Sequence, residues 1–286
     1  SVQVASAAAA VLVGTCLGRR CASSQQRVGA VAPTVRSFAE TAALSEALGR
    51  AVAEASAAAA RRGAPFTVAI SGGSLPKLLA TGLLRVPGVD YSSWRVFFAD
   101  ERVVPLDHAD SNYKACNEAL FSRAGSGASK ISADHIYAVD PSLSAEQAAA
   151  AYSKHMQAVF GVPPSGTPEF DLVLLGMGPD GHTASLFPGH PLLDVSDRWV
   201  AHIEDSPKLP PKRITLTLPV LNAARRVFFV CTGAGKAANL AVALGTADGS
   251  VPAGLVKPTN GELVWYVDDA ASADYRAAKA KHSGEH

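Results

Sequence analysis

The stretch from Phe170 to Gly189 constrains this chain more than any other. Leu172 to Leu175 is an unbroken apolar run, as expected of a parallel strand buried on both faces. Gly176, Gly178, Pro179 and Gly181 then end it abruptly. Asp180 and His182 stand in that break, two residues apart. The loop after a parallel strand is where open α/β sheets bind ligands. An imidazole beside a carboxylate is suited to moving a proton near neutral pH.

The rest of the chain fits such a sheet. A helix is expected over Ser37–Arg62, where Ala, Glu and Leu dominate. Apolar runs at Phe66–Ile70, Trp94–Ala99, Ile136–Val139, Trp199–Ile203, Ile214–Leu218, Val227–Val230 and Leu263–Val267 read as strands. Helices are expected after Ser74, over Ser111–Phe121, over Ala145–Phe160 with Ser144 as cap, and over Ala237–Leu244. A helix or tail closes the chain over Ala270–Lys281. Strands alternate with helices, which predicts a single α/β domain with a mostly parallel, doubly wound sheet flanked by helices, a modified Rossmann-like fold. No fixed-period repeat is evident.

Residues 37–286 are read as that domain. Residues 1–36 differ in kind. Ser1 to Ala39 contains no Asp or Glu, while Arg19, Arg20, Arg27 and Arg36 are present. Acid-poor, Arg- and Ser-containing sequence is the composition of an organelle transit peptide, disordered or cleaved. The apolar stretch Ala5 to Leu17 also fits the h-region of a signal peptide, and an Ala-rich leader with no address is a third reading. That stretch falls short of the ~20 apolar residues that span a bilayer, so no membrane role is expected. A net charge of +1 argues against a nucleic-acid surface. The four cysteines (Cys16, Cys21, Cys116 and Cys231) form no metal-ligand spacing.

Several strand ends carry chemistry. Ser71-Gly72-Gly73-Ser74 joins a strand to a helix, where backbone N–H groups favour an anion such as phosphate. A tight structural turn is the competing reading. Asp100-Glu101-Arg102 follows a buried strand. Arg102 could grip a carboxylate or phosphate with two prongs, and Asp100 could orient a hydroxyl or a water. A solvated strand edge is the alternative. Lys236, at the Gly233–Lys236 turn, is a phosphate anchor. Of Lys208, Lys212 and Arg213, the lysines read as solvated, and Arg213, abutting a strand, is the better anion ligand.

Gly176 to Gly181 matches G-x-G-x-x-G, but Asp180 in its middle would repel a pyrophosphate, so no dinucleotide is expected. No G-x-S-x-G elbow or H-E-x-x-H spacing occurs.

Five segments, in order, resemble the 6-phosphogluconolactonase family. They are Ser71–Ser74, Phe98–Arg102, Gly178–Pro188, Ser206–Lys208 with Arg213–Thr217, and Thr232–Ala237. The resemblance covers about Phe66 to Val267. It implies hydrolysis of 6-phospho-D-glucono-1,5-lactone in the oxidative pentose phosphate pathway, with no metal and no cofactor. His182 would be the base that activates water, supported by Asp180 and Asp100. Ser71, Gly72, Gly73, Ser74, Arg213 and Lys236 would take the phosphate. Arg102 and Gly178 would contact substrate, and backbone N–H groups of the glycine loops would face the oxyanion. Glucose-6-phosphate dehydrogenase would be a functional neighbour, and a plastid the expected compartment, with mitochondrion or cytoplasm as alternatives.

Two other readings are weighed. The related glucosamine-6-phosphate deaminase family carries a Glu five residues past the histidine, where this chain has Phe187. A non-catalytic sugar-phosphate sensor would need a DNA-binding segment, which the leader does not offer.

Overall fold

Six short segments lie side by side as one sheet, in the order β1-β9-β8-β5-β2-β3, and every adjacent pair is parallel. They are β1 (Thr34–Phe38), β2 (Phe66–Ile70), β3 (Trp94–Phe98), β5 (Leu172–Gly176), β8 (Arg226–Cys231) and β9 (Glu262–Asp268). The computed structural model describes residues 32–245 and 249–283.

The pleat sorts side chains to two cores. Leu172 and Leu174 of β5 face one with Val68, Ile70, Val96 and Phe98. Val173 and Leu175 face the other with Ala69, Phe97, Phe229 and Trp265. A strand buried on both faces must be apolar at every position, which is why β2 and β5 show continuous rather than alternating runs. Each Val, Leu, Ile or Phe so buried contributes about 1.5–3 kcal/mol. Helices α1 (Thr41–Arg61) and α2 (Leu75–Leu83) cover one face. Helix α4 (Ala145–Phe160) covers the other. Ser144 and Gln147 close a capping box at its start, and Gly161 takes a left-handed φ of 63° at its end.

From β2 the chain runs outward to β3; from β5 it runs the other way to β8. The switch point therefore lies between β2 and β5, whose ends carry the Ser71–Ser74 turn and the Gly176–His182 loop. A crevice at such a point is where doubly wound sheets bind ligands.

A second, antiparallel sheet of three strands sits beside the first: β4 (Asp100–Arg102), β7 (Arg213–Leu216) and β6 (Val200–Ile203), in the order β4-β7-β6. Charged Asp100-Glu101-Arg102 is thus the edge strand of this sheet, yet it is not solvated: Asp100 and Glu101 are both buried. The Glu101 carboxylate accepts from the N–H groups of Arg102, Asn112 and Tyr113 at 2.7–2.8 Å. Those bonds hold the start of α3 (Asn112–Cys116), which a π-helical turn extends through Phe121.

Several elements depart from expectation. Thr34–Phe38 is a strand, so the boundary drawn at residue 36 falls inside β1, and the first helix begins at Thr41. Ala- and Arg-containing composition had masked five residues that pair with β9. Ile136–Val139 forms no strand. Ile136 makes one bridge to Val96 beyond the edge of the sheet, and Pro141 follows closely. β7 ends at Leu216 because Pro219 opens α5 (Leu218–Ala223). The terminal segment forms α7 (Ala273–Ser283), packed on α6 (Ala237–Gly245). The leader lies outside the described residues up to residue 31. No helix among the described residues is long and apolar enough to cross a membrane.

Candidate active site

The crevice between β2 and β5 is a cleft of about 220 Å³. Ser71 to Ser74, Asp100, Arg102, Gly178, His182, Arg213 and Lys236 all line it. Asp180 stands behind His182. Every residue expected from the sequence is therefore at one place, delivered by five separate segments.

The central pair is tight: His182 Nδ1 is 2.5 Å from Asp180 Oδ1. An ionised carboxylate only accepts, so Nδ1 carries the proton and Nε2 is left with its lone pair. Burial pushes the imidazole below its ordinary pKa, opposed by Asp180 and aided by Lys208. Burial also acts upward on Asp180, but the His182 hydrogen bond and charge, with Lys208, outweigh it and hold the carboxyl down at about 2. The pair thus rests as carboxylate and neutral imidazole, the state a general base requires.

Local geometry explains the glycines. A Cβ on Gly178 would lie 2.0 Å from His182 Nδ1 and 2.4 Å from Asp180 Oδ1. Only a bare Cα leaves room for the pair. Gly178, expected to contact substrate, lines the cleft; its N–H is given to the His182 carbonyl at 2.8 Å, and Gly181 N–H goes to Gly178 O. These loop amides are engaged in the turn and cannot also serve an oxyanion. Ala184, which lines the cleft, holds φ at 47°, a conformation costing about 1–2 kcal/mol.

The Ser71–Ser74 turn behaves otherwise. Ser71 Oγ is buried with no partner among the described residues, and Ser71 is only 5% exposed. Ser74 occupies the N-cap of α2, but its side chain makes no capping bond. A Cβ on Gly72 would fall 1.8 Å from Asn112 Oδ1. Arg102 Nε, also buried, has no partner. Unsatisfied buried donors are costly, about 1–3 kcal/mol each, and mark a place for a polar ligand.

Three cations have different fates. Lys236 Nζ donates to the Met177 carbonyl and so pins the Gly176–His182 loop, assisted by Asn239 to Pro179 O at 2.6 Å. Burial lowers its pKa. Arg102 Nη1 donates to Asp110 O at 2.7 Å. Arg213 is 2% exposed and largely committed: Nε to Pro210 O, Nη2 to Lys208 O and Leu209 O, and Nη1 to Ser185 Oγ at 3.4 Å. Four of a guanidinium's five donors are taken. These bonds clamp the 206–212 strap and leave one donor for the phosphate expected there, although Arg213 lines the cleft.

Lys208, read from the sequence as a solvated lysine, belongs to the site. Its Nζ lies 3.0 Å from Asp180 Oδ1. Its place in the Ser206-Pro207-Lys208 segment was the only available signal. Asn112 was also missed; it bonds Asp100 O at 2.8 Å. Ser185 holds the Asp100 carboxylate, donating to Oδ2 at 2.9 Å. Among the described residues no cluster of three or more His, Cys, Asp or Glu side chains is placed to hold a metal ion.

Fold and site together define a doubly wound α/β protein with a His–Asp pair and an anion-ready turn at its switch point. A family model described as glucosamine-6-phosphate isomerases/6-phosphogluconolactonase matches residues 39–265. A Schizosaccharomyces pombe protein named probable 6-phosphogluconolactonase is 43% identical over 257 residues, 87% of this chain and 98% of that one. An Oryza sativa subsp. indica protein named probable 6-phosphogluconolactonase 3, chloroplastic, is 45% identical over 240 residues, 80% and 72% of the two chains. A solved structure of 6-phosphogluconolactonase from Trypanosoma brucei superposes with a TM-score of 0.73 at 30% identity, covering 85% of this chain and 98% of that one. The chain belongs to the glucosamine-6-phosphate isomerase/6-phosphogluconolactonase family.

Proposed function

We propose that the chain hydrolyses 6-phospho-D-glucono-1,5-lactone to 6-phospho-D-gluconate, in the oxidative pentose phosphate pathway, with His182 as general base. The observation that carries this reading is the Asp180–His182 pair, which fixes the tautomer and leaves the Nε2 lone pair free on a residue that lines the cleft. Nε2 takes a proton from water as the water oxygen bonds the lactone carbonyl carbon. The tetrahedral intermediate then collapses, the ring C–O bond breaks, and the imidazolium returns the proton to the departing ring oxygen.

The phosphate is placed at the Ser71–Ser74 turn, with Arg102 and Lys236 beside it. Ser71 Oγ and Arg102 Nε are, among the described residues, the buried donors at the cleft in want of an acceptor, and the start of α2 favours an anion. Asp100, held by Ser185 and Asn112, orients the substrate hydroxyls or the attacking water. A deaminase would need a carboxylate where Phe187 is packed 2% exposed against the histidine.

The test runs lactonase and deaminase assays side by side. Wild-type protein should open the lactone, and His182→Ala should lose about 10²- to 10⁴-fold in kcat with an unchanged thermal melt. A folded His182→Ala with full activity would remove the assigned role.

We further propose that the segment before Thr34 is a plastid-targeting leader. Its acid-free, Arg-containing composition and the chloroplastic names of the rice relatives support this. Glucose-6-phosphate dehydrogenase, as supplier of the lactone, is the functional neighbour. A fusion of residues 1–33 to a fluorescent protein should accumulate in plastids; diffuse cytosolic signal would overturn the address.

A further inference from the structure

We infer that Phe187 is a positioning residue for His182. Its ring, packed against the imidazole and in reach of the Arg213 guanidinium, sets the plane in which Nδ1 meets Asp180 and Nε2 faces the substrate. The inference rests on the reading of His182 as the base.

One hydrogen bond fixes one atom of a ring and leaves the ring free to tilt about it. Histidine χ2 is a broad torsion with no sharp staggered well to supply the missing restraint. A flat neighbour can supply it. The Phe187 ring lies 4.9 Å from the His182 ring, centroid to centroid, with 29° between their planes. Such offset stacking is favourable beyond the area it buries.

Phe187 is itself fixed. It is 2% exposed and packs in the core cluster that holds Leu186, Ile214 and Leu216. The Arg213 guanidinium carbon stands 5.8 Å from the centroid of the same ring, within reach of a cation–π contact. Arg213 also binds the carbonyl of Lys208 at 2.7 Å, and Lys208 Nζ donates at 3.0 Å to the Asp180 carboxylate that holds His182 Nδ1. The contacts close a circuit: His182, Phe187, Arg213, Lys208, Asp180 and back to His182. Phe187 and Arg213 are its buried members. An aliphatic side chain at 187 would be smaller, leave part of the volume open and offer no flat face to either partner.

The charged groups around the imidazole are Asp180 on its own loop, Lys208 on the strap and Asp100 on β4. Arg213 lies behind Phe187, and Lys236 beside the loop. None of these is removed when Phe187 changes. What changes is access: a smaller or rotating side chain lets water reach the ring, and less burial lets the imidazole protonate more readily.

The experiment is a double-mutant cycle on the full chain. Phe187→Leu should lower kcat about tenfold with KM within about twofold, and move the acid limb of the kcat/KM profile up by about half a pH unit. In the His182→Ala background the same change should cost nothing further. An unaltered kcat and profile would overturn the inference, as would a raised KM with the profile unmoved, or an equal tenfold loss without His182. Full activity of His182→Ala alone would instead dismiss the base, a separate failure. Should Phe187→Leu not fold, NMR of the wild-type protein decides: the ring protons of His182 must be shifted upfield by the stacked phenyl ring, and ordinary shifts refute the stack.

Discussion

Lys208 Nζ sits 3.0 Å from Asp180 Oδ1, reaching across 28 positions of sequence to the acid that orients His182. A cation at that place acts on both members of the pair in the same sense, lowering each pKa. It holds the carboxylate ionised, which favours the productive tautomer. It also adds to the burial that keeps the imidazole neutral.

Asp180 and Lys208 should therefore move the pH profile in opposite directions. Asp180 raises the His182 pKa and Lys208 lowers it. Asp180→Asn removes the raising influence, so the acid limb of kcat/KM should shift to lower pH. The plateau should fall by about 10² or more, because an amide tolerates the wrong tautomer. Lys208→Met removes a lowering influence, so the limb should shift to higher pH. Stopped-flow rates of lactone opening from pH 4.5 to 8 would read both. Shifts of the same sign would contradict this electrostatic account.

The two phosphate cations should separate from Arg213 kinetically. Arg102→Ala and Lys236→Ala should raise KM about 10-fold or more, since a charge-assisted hydrogen bond is worth about 1.5–3 kcal/mol. Arg213→Ala releases the strap carbonyls and with them Lys208, so it should lower kcat and lower the melting temperature. Steady-state kinetics beside calorimetry distinguish the two patterns. If Arg213→Ala raised KM alone, with kcat and melting temperature intact, the guanidinium would be a phosphate ligand after all.

Gly178→Ala should abolish activity with little loss of fold. The new methyl would stand 2.0 Å from His182 Nδ1, so the ring must swing away from Asp180. A loss of about 10² in kcat with far-ultraviolet circular dichroism unchanged is the expected result. An active Gly178→Ala would mean that the pair tolerates a displacement the geometry forbids.

Much of this site could be read directly. Asp180 and His182 share one loop, and a glycine-broken strand end announces itself. The same holds for Ser71–Ser74 and for Arg102. Lys208 could not be read as a member, because its partner is far away in sequence and nothing local distinguishes a lysine beside prolines from a solvated one. Arg213 was read as a ligand because it abuts a strand; that its donors turn inward to the strap became evident only when the strap folded over it. β1 was missed for a related reason. Its partner β9 lies at the other end of the chain, and an edge strand needs no strong apolar run of its own.

Sequence alone determined the kind of sheet and the identity of the chemistry. Continuous apolar runs demand strands buried on both faces, and glycines after them demand tight loops, whatever the rest of the chain does. Only the tertiary structure decided which cations serve the histidine and which serve the fold. It also decided that the Phe187 ring packs against His182 with the Arg213 guanidinium close by. Those outcomes depend on which distant backbone atoms satisfy each donor, a matter that local propensity does not encode.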